Sequence, residues 1–185
     1  MNGTFAAAIL AGGKSKRFGS DKAIHKIQNT TLWEDQVEKV SQLKPSEIII
    51  SSNENQSFNT HHKIIVDSVK DQGPLRGIVD ILNATKADRI LILAVDLPKI
   101  SINFLGELIY AGCGTVPVHK NGMTEPLAAV YPRSMLPLAE RNLSLKKFRM
   151  QDVVHEGIQE RFLKERPIGD SELHFFENLN YQNNG

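Results

Sequence analysis

The ten residues RILILAVDLP, positions 89–98, decide how the rest of the chain reads. After Arg89 the run is apolar to Val95, with none of the alternation of a half-buried strand. It therefore reads as a strand covered on both faces. Asp96 stands at its end, and Pro98 stops it. A strand buried on both sides needs helices over both, and the flanks supply them. Leu75, Ile78, Val79 and Leu82 precede it at helical spacing, behind a Gly73-Pro74 start that suits a first turn. Ile102, Leu105, Leu108 and Ile109 follow it in the same way. Further upstream, Phe5–Leu10, Glu47–Ile50 and Lys63–Val66 read as three more buried strands. Trp33, Val37 and Val40 mark a helix over Leu32–Leu43. Strands alternating with helices predict an α/β fold: three layers, α/β/α, around a mostly parallel sheet.

Beyond residue 110 the pattern loosens. Thr115–Val118 and Leu127–Tyr131 read as strands, and 133–141 and 145–155 as helices. His155–Arg166 is open between helix and a late strand, and the tail after Leu179 is polar enough to fray. The 185 residues suit one domain, 1–185, large enough to bury roughly 70% of the surface of the unfolded chain.

Composition narrows the function classes. Apolar residues make up 41% and charged residues 23%, as in a soluble globular protein. A net charge of +1 speaks against a nucleic-acid partner, so any anion preference must be local. No apolar run reaches the roughly 18 residues of a membrane span, and no signal peptide is visible. The single Cys113 has no partner for a disulfide or a CxxC metal site; a buried small residue in a reducing cytoplasm is the expectation. The six His lack HxxxH spacing, so no zinc site is expected.

In an open parallel sheet, ligands bind beyond the C-terminal strand ends. Four polar clusters fall at such ends. The first is ILAGGKSKRFGSDKA, residues 9–23; the others are Ser51-Ser52-Asn53, Asp67-Ser68 and Asp96-Leu97-Pro98. If the strands lie side by side, all four face one crevice. The first stretch is neither a P-loop, since five residues separate Gly13 from Gly19, nor a GxGxxG fingerprint, since Gly12 and Gly13 are adjacent. Its glycines can still let backbone N–H groups close on phosphate, with Arg17 and Lys22 neutralising charge. A plain glycine turn with solvated cations is the competing reading. Asp96 at a buried strand end suits Mg²⁺, which takes few protein carboxylates plus phosphate oxygens and waters; a turn or helix cap is its alternative. Asp67 carries the same two readings. Glu125 precedes a strand, and Lys146, Lys147 and Arg149 read as a solvated helix face, with Arg149 within reach of a phosphate.

The order of these motifs resembles the molybdenum cofactor guanylyltransferases. The residues concerned are Leu10-Ala11-Gly12-Gly13, Arg17-Phe18-Gly19, Asp21-Lys22, Gly73-Pro74-Leu75, Asp96-Leu97-Pro98, Glu125-Pro126-Leu127 and Phe176-Glu177-Asn178-Leu179-Asn180. They run in order over nearly the whole chain. Phe18 replaces the commoner Met, Arg76 stands where a small residue is usual, and the tail reads Tyr181-Gln182-Asn183-Asn184-Gly185. The resemblance implies a nucleotide-diphospho-sugar transferase-like, Rossmann-like fold, with a nucleotide-binding part of about 1–100 and a pterin-side part of about 101–180. It implies that the terminal phosphate of molybdenum-bearing molybdopterin attacks the α-phosphate of GTP, releasing pyrophosphate. Leu10, Ala11, Gly12, Lys22, Ser51, Asn53, Asp67, Gly73 and Asp96 would then bind the nucleotide. Arg17, Lys22 and Asp96 would be catalytic, Asp96 would hold Mg²⁺, and Asn178 and Asn180 would face the pterin. Implied partners are the two substrates and cofactor-insertion proteins, around a cytoplasmic monomer or weak oligomer. Two alternatives stay open: a cytidylyltransferase or another sugar- or alcohol-phosphate nucleotidyltransferase, and a GTP-binding carrier or regulator without turnover.

Overall fold

The computed structural model describes residues 3–12, 23–27, 29–67 and 72–178. The chain begins with β1 (Phe5–Leu10) and a small hairpin, β2 (Lys26–Ile27) and β3 (Thr30–Thr31). Helix α1 (Leu32–Ser41), β4 (Ile48–Ser52), β5 (Lys63–Val66), α2 (Gly73–Ala84) and β6 (Arg89–Ala94) follow. The second half runs α3 (Ile102–Tyr110), β7 (Gly114–Val118), β8 (Ala128–Pro132), α4 (Leu136–Ser144), α5 (Met150–Gln159) and β9 (Leu163–Pro167). A 3₁₀ segment, Asp170–Phe176, closes the described chain.

Seven strands form one sheet in the order β5-β4-β1-β6-β8-β7-β9. Strands β5, β4, β1 and β6 are mutually parallel; β8 runs against β6 and β7, and β9 is parallel to β7. The period of two along each strand sorts the side chains onto two faces. Ala6, Ala8, Leu10, Ile90 and Ile92 meet α2, α4 and α5 through Leu75, Ile78, Leu138 and Val153. Ala7, Ile9, Leu91 and Leu93 meet α1 and α3 through Leu32, Trp33, Phe104 and Leu108. This is the three-layer α/β/α arrangement that the unbroken apolar runs of β1 and β6 require.

Several expectations need correction. Lys63–Val66 is a strand but not a buried one: it forms the sheet edge, with Ile64 and Val66 exposed. On α1 the buried set is Leu32, Trp33, Gln36 and Val40, with Val37 only partly buried. Residues 145–149 are not helical, because Lys146 takes a positive φ and breaks α4 from α5. Ile158 ends up in α5, and Leu163 opens β9. Cys113 is half-buried rather than core. Among the described residues, no helix is long and apolar enough to cross a membrane.

Two charged residues anchor these layers. Arg89, buried at the start of β6, donates through Nη1 to the Ile109 carbonyl in the last turn of α3 and through Nη2 to Gly3 O at 3.3 Å. The negative end of that helix offsets its charge. Arg166 at the end of β9 pairs with Glu107 and Glu172, and its guanidinium lies 4.4 Å from the Phe104 ring centroid. Phe175 and Phe176 present edges to the same ring at 5.6 and 5.5 Å. The 3₁₀ segment is thus strapped over α3.

Gly114 shows how tightly β7 and β9 approach. A Cβ there would overlap the Phe162 carbonyl oxygen and lie 2.6 Å from Pro132 Cδ and 2.8 Å from Leu163 Cδ2. Backbone and ring atoms cannot step aside, so Gly114→Ala is expected to destabilise the fold by about 3 kcal/mol. Urea unfolding measures this; a change below about 1 kcal/mol would mean the strands separate freely.

Candidate functional site

The topology sets the C-terminal ends of β5, β4, β1 and β6 side by side, and with them Asp67, Ser51–Asn53, Leu10–Gly12 and Asp96. Strands lie about 4.8 Å apart, so the four ends span about 14 Å. Of the four clusters expected at one crevice, the described parts, Leu10–Gly12, Ser51–Asn53, Asp67 and Asp96–Pro98, lie along one rim. Gly13, Arg17, Lys22, Ser68 and Asn180 lie outside the described residues.

The tightest part of the rim surrounds Asp67. Its backbone N–H donates to Ser52 O at 2.8 Å, continuing the β4–β5 ladder by one residue. Its carboxylate accepts from Ser51 Oγ at 3.1 Å. Two glycines close over it. A Cβ on Gly12 would come 3.1 Å from Asp67 Oδ2 and 3.2 Å from the Ser52 carbonyl carbon. A Cβ on Gly77, in α2, would come 3.1 Å from Ser51 Oγ and 3.3 Å from Asp67 Oδ1. Both glycines are there for close approach. Burial pushes the Asp67 carboxyl above the usual carboxylate range; the Ser51 hydrogen bond opposes this, Asp80 adds to it and Arg76 subtracts from it. Arg76 itself forks onto Asp80 one turn along α2, which explains how a long cation is accommodated at a position read as small.

Leu10 and Ala11 are buried, and the amides of Ala11 and Gly12 both donate to Ser51 O at 2.9 Å. These residues therefore shape the rim by proximity rather than by offering those N–H groups. Asn53 is turned to its own loop: its Oδ1 accepts from Asn55 N, and its N–H donates to Gln56 Oε1. Gln56 in turn donates to Ala11 O at 2.9 Å and pins this loop to the end of β1. Gln56 was missed in the sequence; the only signal was its place three residues after an Asn suited to an Asx turn. Gly73 opens α2 with φ +62°, a conformation that favours glycine.

Asp96 follows β6 in a half-buried turn, next to Val95 N–H···O Leu10. Helix α1 holds this turn from below. Gln36 Nε2 donates to Leu97 O at 2.9 Å, and Lys39 Nζ donates to Pro98 O. Among the described residues, no three His, Cys, Asp or Glu side chains cluster as a ready metal cage. The Asp96 carboxylate at this strand end suits a divalent cation of the kind shared with phosphate oxygens, not an all-protein cation site.

Strand β8 runs the opposite way to β6, so the β7–β8 connection, 119–127, reaches the same end of the sheet. There His119 Nε2 meets Glu125 Oε1 at 2.6 Å, with Phe176 stacked edgewise 5.7 Å from the imidazole. Gln151 at the start of α5 grips this connection by three hydrogen bonds to Thr124. Glu177 pairs with Lys99, leaving Asn178 exposed just beyond. His119 was not singled out in the sequence, because five residues of a hairpin separate it from its carboxylate.

Comparison with known proteins agrees with this geometry. The family model described as MobA-like NTP transferase domain matches residues 7–160. A probable molybdenum cofactor guanylyltransferase of Opitutus terrae is 34% identical over 166 residues, 86% of this chain and 82% of that protein. Another of that name from Pyrococcus horikoshii is 31% identical, covering 81% of each. Among solved structures, molybdopterin-guanine dinucleotide biosynthesis protein A of Archaeoglobus fulgidus superposes with a TM-score of 0.75 at 25% identity, over 95% of this chain and 92% of that one. A 2-C-methyl-D-erythritol 4-phosphate cytidylyltransferase of Thermus thermophilus shares the fold alone, with a TM-score of 0.69 at 10% identity over 94% and 92% of the two chains. The chain belongs to the MobA-like NTP transferase family.

Proposed function

We propose that this protein transfers GMP from GTP to molybdenum-bearing molybdopterin in the cytoplasm, releasing pyrophosphate and forming the guanine dinucleotide cofactor. The observation that carries this reading is the row of parallel strand ends bringing Asp67, Ser51, Gly12 and Asp96 to one rim, in a chain whose relatives bear that name. A nucleotide laid across the rim would have its base and sugar toward Ser51, Asp67 and Gly73, and its phosphates toward Asp96. Lys22 and Arg17, from the motif after β1, would neutralise the departing pyrophosphate. Asp96 would hold Mg²⁺, which when bound screens phosphate charge and orients the oxygens.

The attacking group is a substrate phosphate, already an anion near neutral pH, so no protein base is needed. The chain's own work is then to position two anions and hold them dry. The His119–Glu125 pair with Phe176 beside it, together with Asn178 and Asn180, would face the pterin.

Pyrophosphate release with molybdopterin and each of GTP, CTP and ATP tests the reading. Release with GTP is expected; release with CTP alone, or with none, would overturn it. Asp96→Ala is expected to lower kcat at least a hundredfold, about 2.7 kcal/mol, with the melting temperature unchanged. Lys22→Ala should lower kcat/KM for GTP at least tenfold, about 1.4 kcal/mol; an unchanged value would take Lys22 out of the site.

Asp67 gives a prediction about pH. Its carboxyl titrates above the ordinary range when folded, so the folded state binds more protons than the unfolded one between the two values. Stability therefore falls as pH rises through that window. Asp67→Asn should be more stable than the parent at pH 7, lose that advantage below the ordinary Asp value of about 3.9, and bind GTP more weakly. Denaturant titrations at the two pH values, with GTP binding alongside, check this; an equal gain at both would deny that the Asp67 charge is the cause.

A further inference from the structure

Gln36 is fully buried on α1, in the face that carries Leu32, Trp33 and Val40 into the core. Its Nε2 donates to Leu97 O, but its Oε1 has, among the described residues, neither a hydrogen-bond partner nor solvent. Stability does not explain such a residue. An apolar side chain of similar volume would bury no orphan acceptor. Leu97 O would lose nothing essential, since it also accepts from Ile100 N at 3.2 Å. What Gln36 does provide is a fixed point. One turn further along, Lys39 Nζ reaches the next carbonyl, Pro98 O, while pairing with Asp35 at 2.8 Å. Two successive carbonyls after Asp96 are thus tied to one helix, and Pro98 locks φ between them. The Lys39 ammonium ends a flexible four-carbon stem. Gln36 is held by the core itself, so it sets the turn more rigidly.

We infer that Gln36 is a positioning residue for Asp96, fixing the turn so that the carboxylate meets a nucleotide-bound divalent cation in one orientation. The inference rests on the nucleotidyl-transfer reading above. Mg²⁺ demands near-octahedral ligand geometry, so a small rotation of its protein carboxylate weakens it more than it weakens nucleotide contacts elsewhere on the rim. The role is carried by a polar residue at a helix position whose neighbours on that face are apolar.

Gln36→Met and Gln36→Leu test it. Three quantities are read: melting temperature, affinity for a non-hydrolysable GTP analogue without metal, and Mn²⁺ affinity of the analogue-bound protein by electron paramagnetic resonance. Turnover against Mg²⁺ concentration is followed in parallel. The expected result is an unchanged melting temperature and metal-free analogue affinity, a Mn²⁺ dissociation constant raised at least fivefold, and a similar rise in the Mg²⁺ needed for half-maximal rate. Unaltered Mn²⁺ affinity in both variants would overturn the inference while leaving the nucleotidyl-transfer reading intact. Equal weakening of metal-free binding, or failure of both variants to fold, would assign Gln36 to stability instead. A parent protein that binds no GTP analogue would overturn the functional reading and this inference with it.

Discussion

The structure depends on the burial of β1 and β6 on both faces. A strand covered on both sides cannot carry a polar side chain along its length without a partner, because desolvation would go uncompensated. Its backbone groups must all be paired within the ladder. Polar chemistry is therefore pushed to the strand ends, and parallel pairing puts those ends in one row. The site is a consequence of this exclusion. Asp67 and Asp96 stand where the sheet stops, and Gly12 and Gly77 let the chain close around the first of them.

The same constraint explains what was legible in the sequence. Continuous apolar runs announced β1, β4 and β6, and polar residues at their ends announced the rim. The edge position of β5 was not legible. Lys63–Val66 is as apolar as an interior strand, and only the strand order shows that it ends the sheet among the described residues. Gln36 was hidden for the opposite reason: a polar residue between apolar helix positions looks like the helix's wet side, and only the Leu97 carbonyl reveals it as core. The His119–Glu125 pair depends on a hairpin register that spacing alone does not specify. Residues 145–149 read as helical, but Lys146 closes α4 with a left-handed C-cap, its N–H donating to Leu143 O and that of Lys147 to Asn142 O; without a glycine at that position the cap leaves no signal in the sequence.

Asp67 illustrates how the rim trades stability for chemistry. A carboxylate half-buried beneath two glycines, beside Asp80 and held by the Ser51 hydroxyl, costs free energy in the empty protein. Such groups cluster where ligands bind. Gln36 and its orphan oxygen follow the same logic one layer below, where a locally imperfect contact holds the turn that carries the second carboxylate.

The placement of β8 between β6 and β7 has a consequence for how the chain is made. Residues up to Ala94 supply all four strands of the β5-β4-β1-β6 half-sheet, but the free edge of β6 waits for a strand that ends at Pro132. At roughly 5–20 residues per second, synthesis leaves that edge open for about 2–8 s. During that interval the most apolar strand of the molecule is an unpaired template, and β7, made first, must be held aside until β8 fills the gap.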